Sequence, residues 1–177
     1  MKSRQSLRLS NYDYSQPGYY FVTICTKGMS CWLGAIKNNA VELSSIGKAA
    51  QECWLNIPRH FPHVELDEYI VMPNHVHGII IINPVGVQNI NPVGVQNFEP
   101  LQQNKFQHII PLSLGSIVRG FKIGVTQWCR RYGHIDLEWQ RNYYDHIILN
   151  EKALQKIREY IQNNPANWAE DRNNPRK

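Results

Sequence analysis

The segment 75–82, HVHGIIII, most restricts what this chain can fold into. Its isoleucine run is typical of a central strand that is buried on both faces. Side chains alternate between the two faces of a strand, so His75 and His77, at positions i and i+2, project from the same side. Two imidazoles held in this way can bind one metal ion. The segment therefore predicts a rigid pair of histidine ligands at one end of a buried strand.

The remaining patterns predict three more strands and three helices. Aromatic and β-branched residues predict strands over 19–26, 64–72 and about 138–149. Apolar residues at three- and four-residue spacing predict helices from Ser44 or Ser45 to 57, over 113–133, and from an Asn150 N-cap to about 164. The stretch between the first strand and the first helix has no regular pattern. The order strand, helix, strand, strand, helix, strand is that of a ferredoxin-like split βαβ fold. We therefore expect an α+β domain with an antiparallel sheet, helices on one face and an appended C-terminal helix.

The length fits a single domain, 1–177. Segments 83–89 and 91–97 are tandem copies, and we interpret the polar stretch at about 83–107 as a flexible insertion. The four cysteines form no C-x-x-C pair, which disfavours a zinc ribbon. No stretch of the sequence approaches the ~20 apolar residues of a membrane span, and the N-terminus lacks an apolar signal region. We expect a cytoplasmic protein with no membrane partner.

The charge balance favours a polyanionic partner. Lysine and arginine number 19 against 14 acidic residues, a formal net charge of +5, which is compatible with nucleic-acid binding. The predicted helix 113–133 contains no acidic residue, and Arg119, Lys122 and Arg130 follow one flank of it. This flank predicts a cationic ridge, although an ordinary solvated face has the same pattern.

Two imidazoles alone leave a divalent ion short of ligands. On the last predicted helix, Tyr160 and Asn164 are spaced i, i+4 and share a face. If that helix packs against the histidine strand, Asn164 can reach the ion and Tyr160 can face the group that the ion polarises. This arrangement predicts phosphodiester transfer, in which the tyrosine oxygen attacks phosphorus and forms a phosphotyrosine.

Each of these residues also has a structural interpretation. The H-x-H pair can be incidental, and Tyr160 can be a packing residue of an amphipathic helix. Asn164 can cap the helix before Pro165. Tyr143 and Tyr144 are rival nucleophiles on chemistry alone, and the sequence identifies no base for the phenol proton.

Three ordered motifs carry a family resemblance. They are 72–77 (MPNHVH), 139–148 (WQRNYYDHII) and 160–168 (YIQNNPANW). Together they closely resemble the HUH single-tyrosine transposases, and among these most of all the REP-associated tyrosine transposases. The likeness runs from about residue 18 to 168, includes the region 120–122, and is interrupted by the repeat at 83–97.

The resemblance implies a DNA transposase, a metal-dependent endonuclease that nicks and rejoins single-stranded DNA beside hairpins. In that family the two histidines bind Mg²⁺ or Mn²⁺, a polar residue one turn after the tyrosine completes the site, and cleavage leaves a 5′-phosphotyrosine and a free 3′-OH. Carried over, the metal ligands are His75, His77 and Asn164, and the appended C-terminal helix carries the nucleophile, Tyr160.

The implied partner is single-stranded DNA with hairpin ends, bound by a monomer or a homodimer in the cytoplasm at the nucleoid. Contacts to such a hairpin require exposed cations. The candidate DNA-binding residues are Arg119, Lys122, Arg130, Arg131 and Arg141.

Two other functions stay open at this point. A domesticated, catalytically weak protein would bind hairpin DNA without cleaving it. A zinc hydrolase acting through activated water would not need Tyr160. The tandem repeat is no part of the family pattern, and the basic tail after Trp168 is short. The sequence leaves open which DNA is recognised and whether the site is assembled in cis or in trans.

Overall fold

The protein is described here by a computed structural model that covers residues 12–84 and 110–175. The strands are β1 (Gly18–Cys25), β2 (Gly34–Lys37), β3 (Ala40–Leu43), β4 (Val64–Val71), β5 (His75–Ile82) and β6 (Tyr144–Ile148). The helices are α1 (Ser45–Leu55), α2 (Ile57–His60), α3 (Leu114–Arg131) and α4 (Glu151–Asn163), with 3-10 turns at Lys27–Met29 and Trp168–Glu170. Apart from residues 83 and 84, the tandem repeat and the insertion expected at about 83–107 lie outside the described residues.

Four strands form an antiparallel sheet in the order β4, β5, β1, β6. This order is that of the ferredoxin-like fold, which confirms the expected α+β class. The isoleucine strand β5 pairs with β1 on one side and β4 on the other, as its uninterrupted apolar run predicts. Within the described parts of the chain, no helix combines the length and the apolar character needed to cross a membrane.

The two faces of the sheet are covered by different helices. On one face, α1 and α3 pack their apolar sides against alternate residues of β1, such as Tyr20 and Val22. On the other face, α4 buries Leu154 and Ile161 against Phe21. Phe21 lies between Tyr20 and Val22 in sequence and therefore points to the opposite face of β1. The appended C-terminal helix therefore covers the face that a four-stranded sheet of this kind would otherwise leave open.

Gly78 of β5 is required by close packing on the first face. A Cβ at this position would lie 2.2 Å from Cζ2 of Trp54, a fully buried side chain of α1. The indole therefore crosses the central strand at the one residue without a side chain.

The structure corrects two local expectations. The stretch after β1 is not irregular, because β2 and β3 form a hairpin. Asn38 and Asn39 connect these strands with φ angles of 50° and 59°, and positive φ at both central residues is typical of a primed two-residue turn.

The last strand is shorter than the predicted 138–149, since β6 covers only 144–148. The preceding residues meet the end of β1 only at a single antiparallel bridge, separate from the β1–β6 ladder. Trp139 makes an isolated bridge to Thr26, and the Lys122 ammonium donates to the carbonyl of Gln140 at 2.7 Å. These contacts use backbone groups that a longer ladder would need.

Candidate active site

Strand β5 holds His75 and His77 on the face that α4 covers. Both side chains are buried, with 0% and 1% exposure, and their Nε2 atoms lie 3.0 Å apart. The i, i+2 spacing thus brings the two imidazoles together, since residues of this spacing share a face of the strand.

The Nδ1 atoms of both imidazoles contact polar side chains. Asn74 donates its Nδ2 to the carbonyls of Met29 and Asn173, at 2.9 and 2.7 Å, which leaves Oδ1 as the acceptor for His75 Nδ1 at 2.8 Å. His77 Nδ1 lies 2.9 Å from the hydroxyl oxygen of Thr23. Because a hydrogen on Nδ1 leaves a lone pair on Nε2, the Asn74 contact orients His75 as a metal ligand, and the Thr23 hydroxyl can do the same for His77.

Helix α4 brings Tyr160 to the histidines. Its hydroxyl oxygen lies 3.2 Å from His77 Nε2, although 44% of the residue is exposed. Phe21 supports both groups, with its ring stacked on His77 and in edge contact with Tyr160. The phenol is therefore fixed beside the imidazoles yet open to a large substrate.

Helix α4 is fixed by its N-cap and by an ion pair from its middle. Asn150 caps its first turn by accepting from the amide of Ala153 at 2.9 Å, as the sequence predicts. Arg158 ties the helix to β4 through two hydrogen bonds to Asp67, Nε to Oδ1 at 3.0 Å and Nη2 to Oδ2 at 2.6 Å. Such a paired contact restricts both translation and rotation of the helix.

Asn164, one turn after Tyr160, is 2% exposed. Its Oδ1 accepts no hydrogen bond from the residues that the structure describes. A buried carbonyl oxygen without a donor costs free energy unless a cation or water is bound to it. This oxygen is therefore available as a ligand.

Asp171 is part of the site although the sequence analysis did not identify it. Its carboxylate and the ligand atoms of His75 and His77 all lie within 4.8 Å of one another. The residue follows the 3-10 turn that stacks Trp168 on His75, with ring centroids 6.0 Å apart. Nothing in the polar segment after Trp168 predicts this position, because it depends on the chain folding back onto the site.

Burial determines the protonation states. Desolvation lowers the pKa of His75 to about 4. The negative charge of Asp171 raises this pKa in part, and the positive charge of Arg172 lowers it further. Desolvation, followed by the charge of His75, lowers the pKa of His77 well below its usual range. Both imidazoles are thus neutral near pH 7, the state that binds metal. Burial and then the negative charge of Asp171 raise the pKa of Tyr160, so the resting phenol carries its proton.

These donors fit a divalent cation. Two ligands at adjacent positions of an octahedral ion with bonds of about 2.1 Å lie about 3.0 Å apart, which matches the Nε2 separation of 3.0 Å. The Asp171 carboxylate, within 4.8 Å of the histidine ligand atoms, adds an oxygen donor of the kind that Mg²⁺ and Mn²⁺ prefer. The unpartnered carbonyl of Asn164, one turn after Tyr160, is of the same chemical kind.

Comparison with known proteins identifies a relative of this chain in sequence. No protein-family model matches the chain. An uncharacterized protein of Haemophilus influenzae is 45% identical over 169 residues, which cover 95% of this chain and 91% of that protein. The chain belongs to the same family as this protein.

Among solved structures, a REP-associated tyrosine transposase bound to a REP hairpin aligns with a TM-score of 0.58 and 19% identity, over 92% of this chain and 74% of the other. The chain has the tyrosine-transposase fold. A protein from Deinococcus radiodurans R1 aligns with a TM-score of 0.48 and 18% identity, over 89% of this chain and 97% of the other.

Within the tyrosine-transposase fold, the rival tyrosines have different surroundings from Tyr160. Tyr143 packs against the core on the α1 and α3 face. Tyr144 lies on the α4 face with its ring in edge contact with Phe21 and under the guanidinium of Arg172, 5.3 Å from the ring centre.

The five candidate DNA-binding residues differ in their surroundings. Arg119, Arg130, Arg131 and Arg141 are exposed, whereas the Lys122 ammonium is held by the carbonyls of Gln140 and Asn142. Arg130 and Arg141 come together, with Lys27, around an open groove of about 720 Å³ beside Trp139. Their role in DNA binding stays a prediction.

Proposed function

We propose that the protein is a transposase that cleaves and rejoins single-stranded DNA beside a hairpin, with Tyr160 as the nucleophile. The single observation that carries this proposal is the 3.2 Å contact between the Tyr160 hydroxyl and His77 Nε2, at the pair of imidazoles that fits a divalent ion. The contact lies within one chain, which supports assembly of the site in cis and a monomer that is sufficient for cleavage.

The proposed reaction is a phosphodiester exchange at Tyr160. The Tyr160 oxygen attacks the phosphorus of a phosphodiester, the bond from phosphorus to the 3′-oxygen breaks, and the phenol proton passes through solvent to that leaving oxygen. The products are a 5′-phosphotyrosine and a free 3′-OH. One phosphodiester replaces another, so the 3′-OH of a second strand can reverse the step and join the ends.

A bound Mg²⁺ or Mn²⁺ would withdraw charge from the non-bridging phosphate oxygens. His75, His77 and Asn164 would hold it. Their burial keeps the ligand atoms out of bulk water, and Phe21 keeps the phenol ring in edge contact beside His77. Arg172, which lies close enough to influence both histidines, offers a cation to the substrate backbone.

A hairpin substrate is supported by three observations. The solved tyrosine transposase of the same fold is bound to a REP hairpin. This chain carries a net charge of +5, and Lys27, Arg130 and Arg141 line an open groove in which a phosphate backbone can lie. Such a substrate would place the protein in the cytoplasm at the nucleoid.

The test uses single-stranded oligonucleotides that carry a hairpin beside a randomised flank, incubated with Mn²⁺ and run on a denaturing gel. A 3′ label should migrate with the protein, because the 5′-phosphate stays on Tyr160, and a 5′ label should appear on a shorter free fragment. Tyr160→Phe should abolish the adduct, whereas the matched control Tyr144→Phe should retain it.

An undiminished adduct from Tyr160→Phe would refute the assignment of the nucleophile. Hairpin binding that is independent of Mn²⁺ and yields no adduct would instead support a binding protein without cleavage activity. Cleavage without an adduct, retained by Tyr160→Phe, would support a hydrolase that acts through activated water.

A further inference from the structure

The segment that follows α4 returns to the histidines and leaves a carboxylate beside them. Asp171 is 9% exposed, and its ligand atom lies within 4.8 Å of those of both His75 and His77. The segment is anchored on both sides of this residue, by the ring of Trp168 against His75 and by the Asn173 carbonyl, which accepts from Asn74 Nδ2 at 2.7 Å. The position of Asp171 is therefore built into the fold.

A buried carboxylate is costly unless an opposite charge or several donors compensate for it. One oxygen of Asp171 accepts from the amide of Asn173 at 2.6 Å. Ring nitrogens of His75 and His77 lie within 4.8 Å of the carboxylate, and a lone pair on either would add negative potential next to a negative charge. A cation among them would turn this repulsion into attraction.

We propose that Asp171 is a ligand of the divalent ion, so that the segment after the nucleophile helix supplies one of the protein donors. The inference rests on the metal site of the proposed function. The set then consists of two imidazole nitrogens, the carboxamide oxygen of Asn164 and one carboxylate oxygen. Its single negative charge compensates half the charge of the ion and favours hard divalent cations.

A purely structural role for Asp171 makes a different prediction. In that case its carboxylate only stabilises the turn by accepting from the Asn173 amide. Asp171→Asn separates the two roles, because the carboxamide keeps an acceptor oxygen of the same reach and removes the charge. Asp171→Glu keeps the charge and alters the reach.

The experiment measures Mn²⁺ binding directly, without DNA, from the loss of the electron paramagnetic resonance signal of free Mn²⁺. Asp171→Asn should weaken binding at least about tenfold, with the metal-free melting temperature unchanged, and Asp171→Glu should bind more tightly than Asp171→Asn. Asp136→Asn, which removes the same charge from an exposed loop residue, should bind like the wild type.

The outcomes separate this inference from the proposed function. If His75→Ala abolishes binding and both Asp171 variants bind like the wild type, Asp171 is not a ligand but the metal site stands. If Asp171→Asn loses affinity only in proportion to a lower melting temperature and Asp171→Glu does no better, the role is structural and the inference is wrong. If the wild type binds no Mn²⁺ at millimolar concentration, both proposals are overturned.

Discussion

The buried histidine pair makes the stability of the metal-free protein depend on pH in a direction that can be worked out. An unfolded chain protonates histidine near pH 6.5. In the folded chain, burial lowers the pKa of His75 to about 4 and that of His77 well below its usual range. Between these values the unfolded state binds protons that the folded state cannot, so the free energy of unfolding falls as the pH falls from about 6.5 towards 4.

The magnitude follows from the shift of His75. A group with a pKa of about 4 in the folded chain and about 6.5 in the unfolded chain lowers the free energy of unfolding by about 2 kcal/mol between pH 7 and pH 5. His77 adds a loss of the same sign. For a domain of this size, about 2 kcal/mol is a substantial part of the total free energy of unfolding.

The assay is urea unfolding at pH 7 and pH 5 in the presence of a chelator, which keeps the histidines free of metal. The variant His75→Gln/His77→Gln lacks both imidazoles. Between pH 7 and pH 5 its free energy of unfolding should fall by at least about 2 kcal/mol less than that of the wild type. His146→Gln removes an exposed histidine of β6 and serves as the control, with the wild-type dependence retained. Equal losses in the wild type and the double variant would refute the reasoning, since the pH dependence would then arise elsewhere.

Two further predictions concern the elements that position the site. Gly78→Ala should lower the free energy of unfolding by roughly 1–3 kcal/mol in urea titration, because the added carbon overpacks against Trp54; Gly18→Ala, whose added carbon meets only ordinary contacts, is the control, and equal midpoints would contradict the clash. Arg158→Gln removes the ion pair that ties α4 to β4, so amide hydrogen exchange should become faster in α4 but not in α3. Lys156→Gln removes a charge from an exposed position of the same helix, and equal acceleration in both variants would show that charge loss alone, not the ion pair, loosens α4.

The parts of the fold that the sequence predicts well depend on local rules. Strand alternation is enough to place His75 and His77 on one face, and the i, i+4 spacing is enough to align Tyr160 with Asn164. The N-cap at Asn150 is equally local, since its side chain accepts from an amide three residues away. Each of these relations is fixed by backbone geometry once the element forms.

The two errors in the fold have different causes, one local and one long-range. The pair Asn38 and Asn39 could have revealed the β2–β3 hairpin, because asparagine tolerates the positive φ angles that a primed turn needs. The segment before β6 has strand-like aromatic residues, but its carbonyls at Gln140 and Asn142 are bound by Lys122. Propensity alone cannot detect that competition, since the lysine lies 18 residues away from Gln140.

Asp171 marks the limit of sequence reasoning about the site. Its approach to the histidines depends on the contact between Asn74 and Asn173, which are separated by 99 residues, and on the stacking of Trp168 over His75. No period or motif encodes such a contact. The local rules therefore predict the neutral donors of the proposed metal site, whereas its proposed anionic donor is placed by tertiary structure. Because that carboxylate would set the net charge of the donor set, and charge governs affinity for hard cations, the metal preference that we propose follows from the fold and not from a motif.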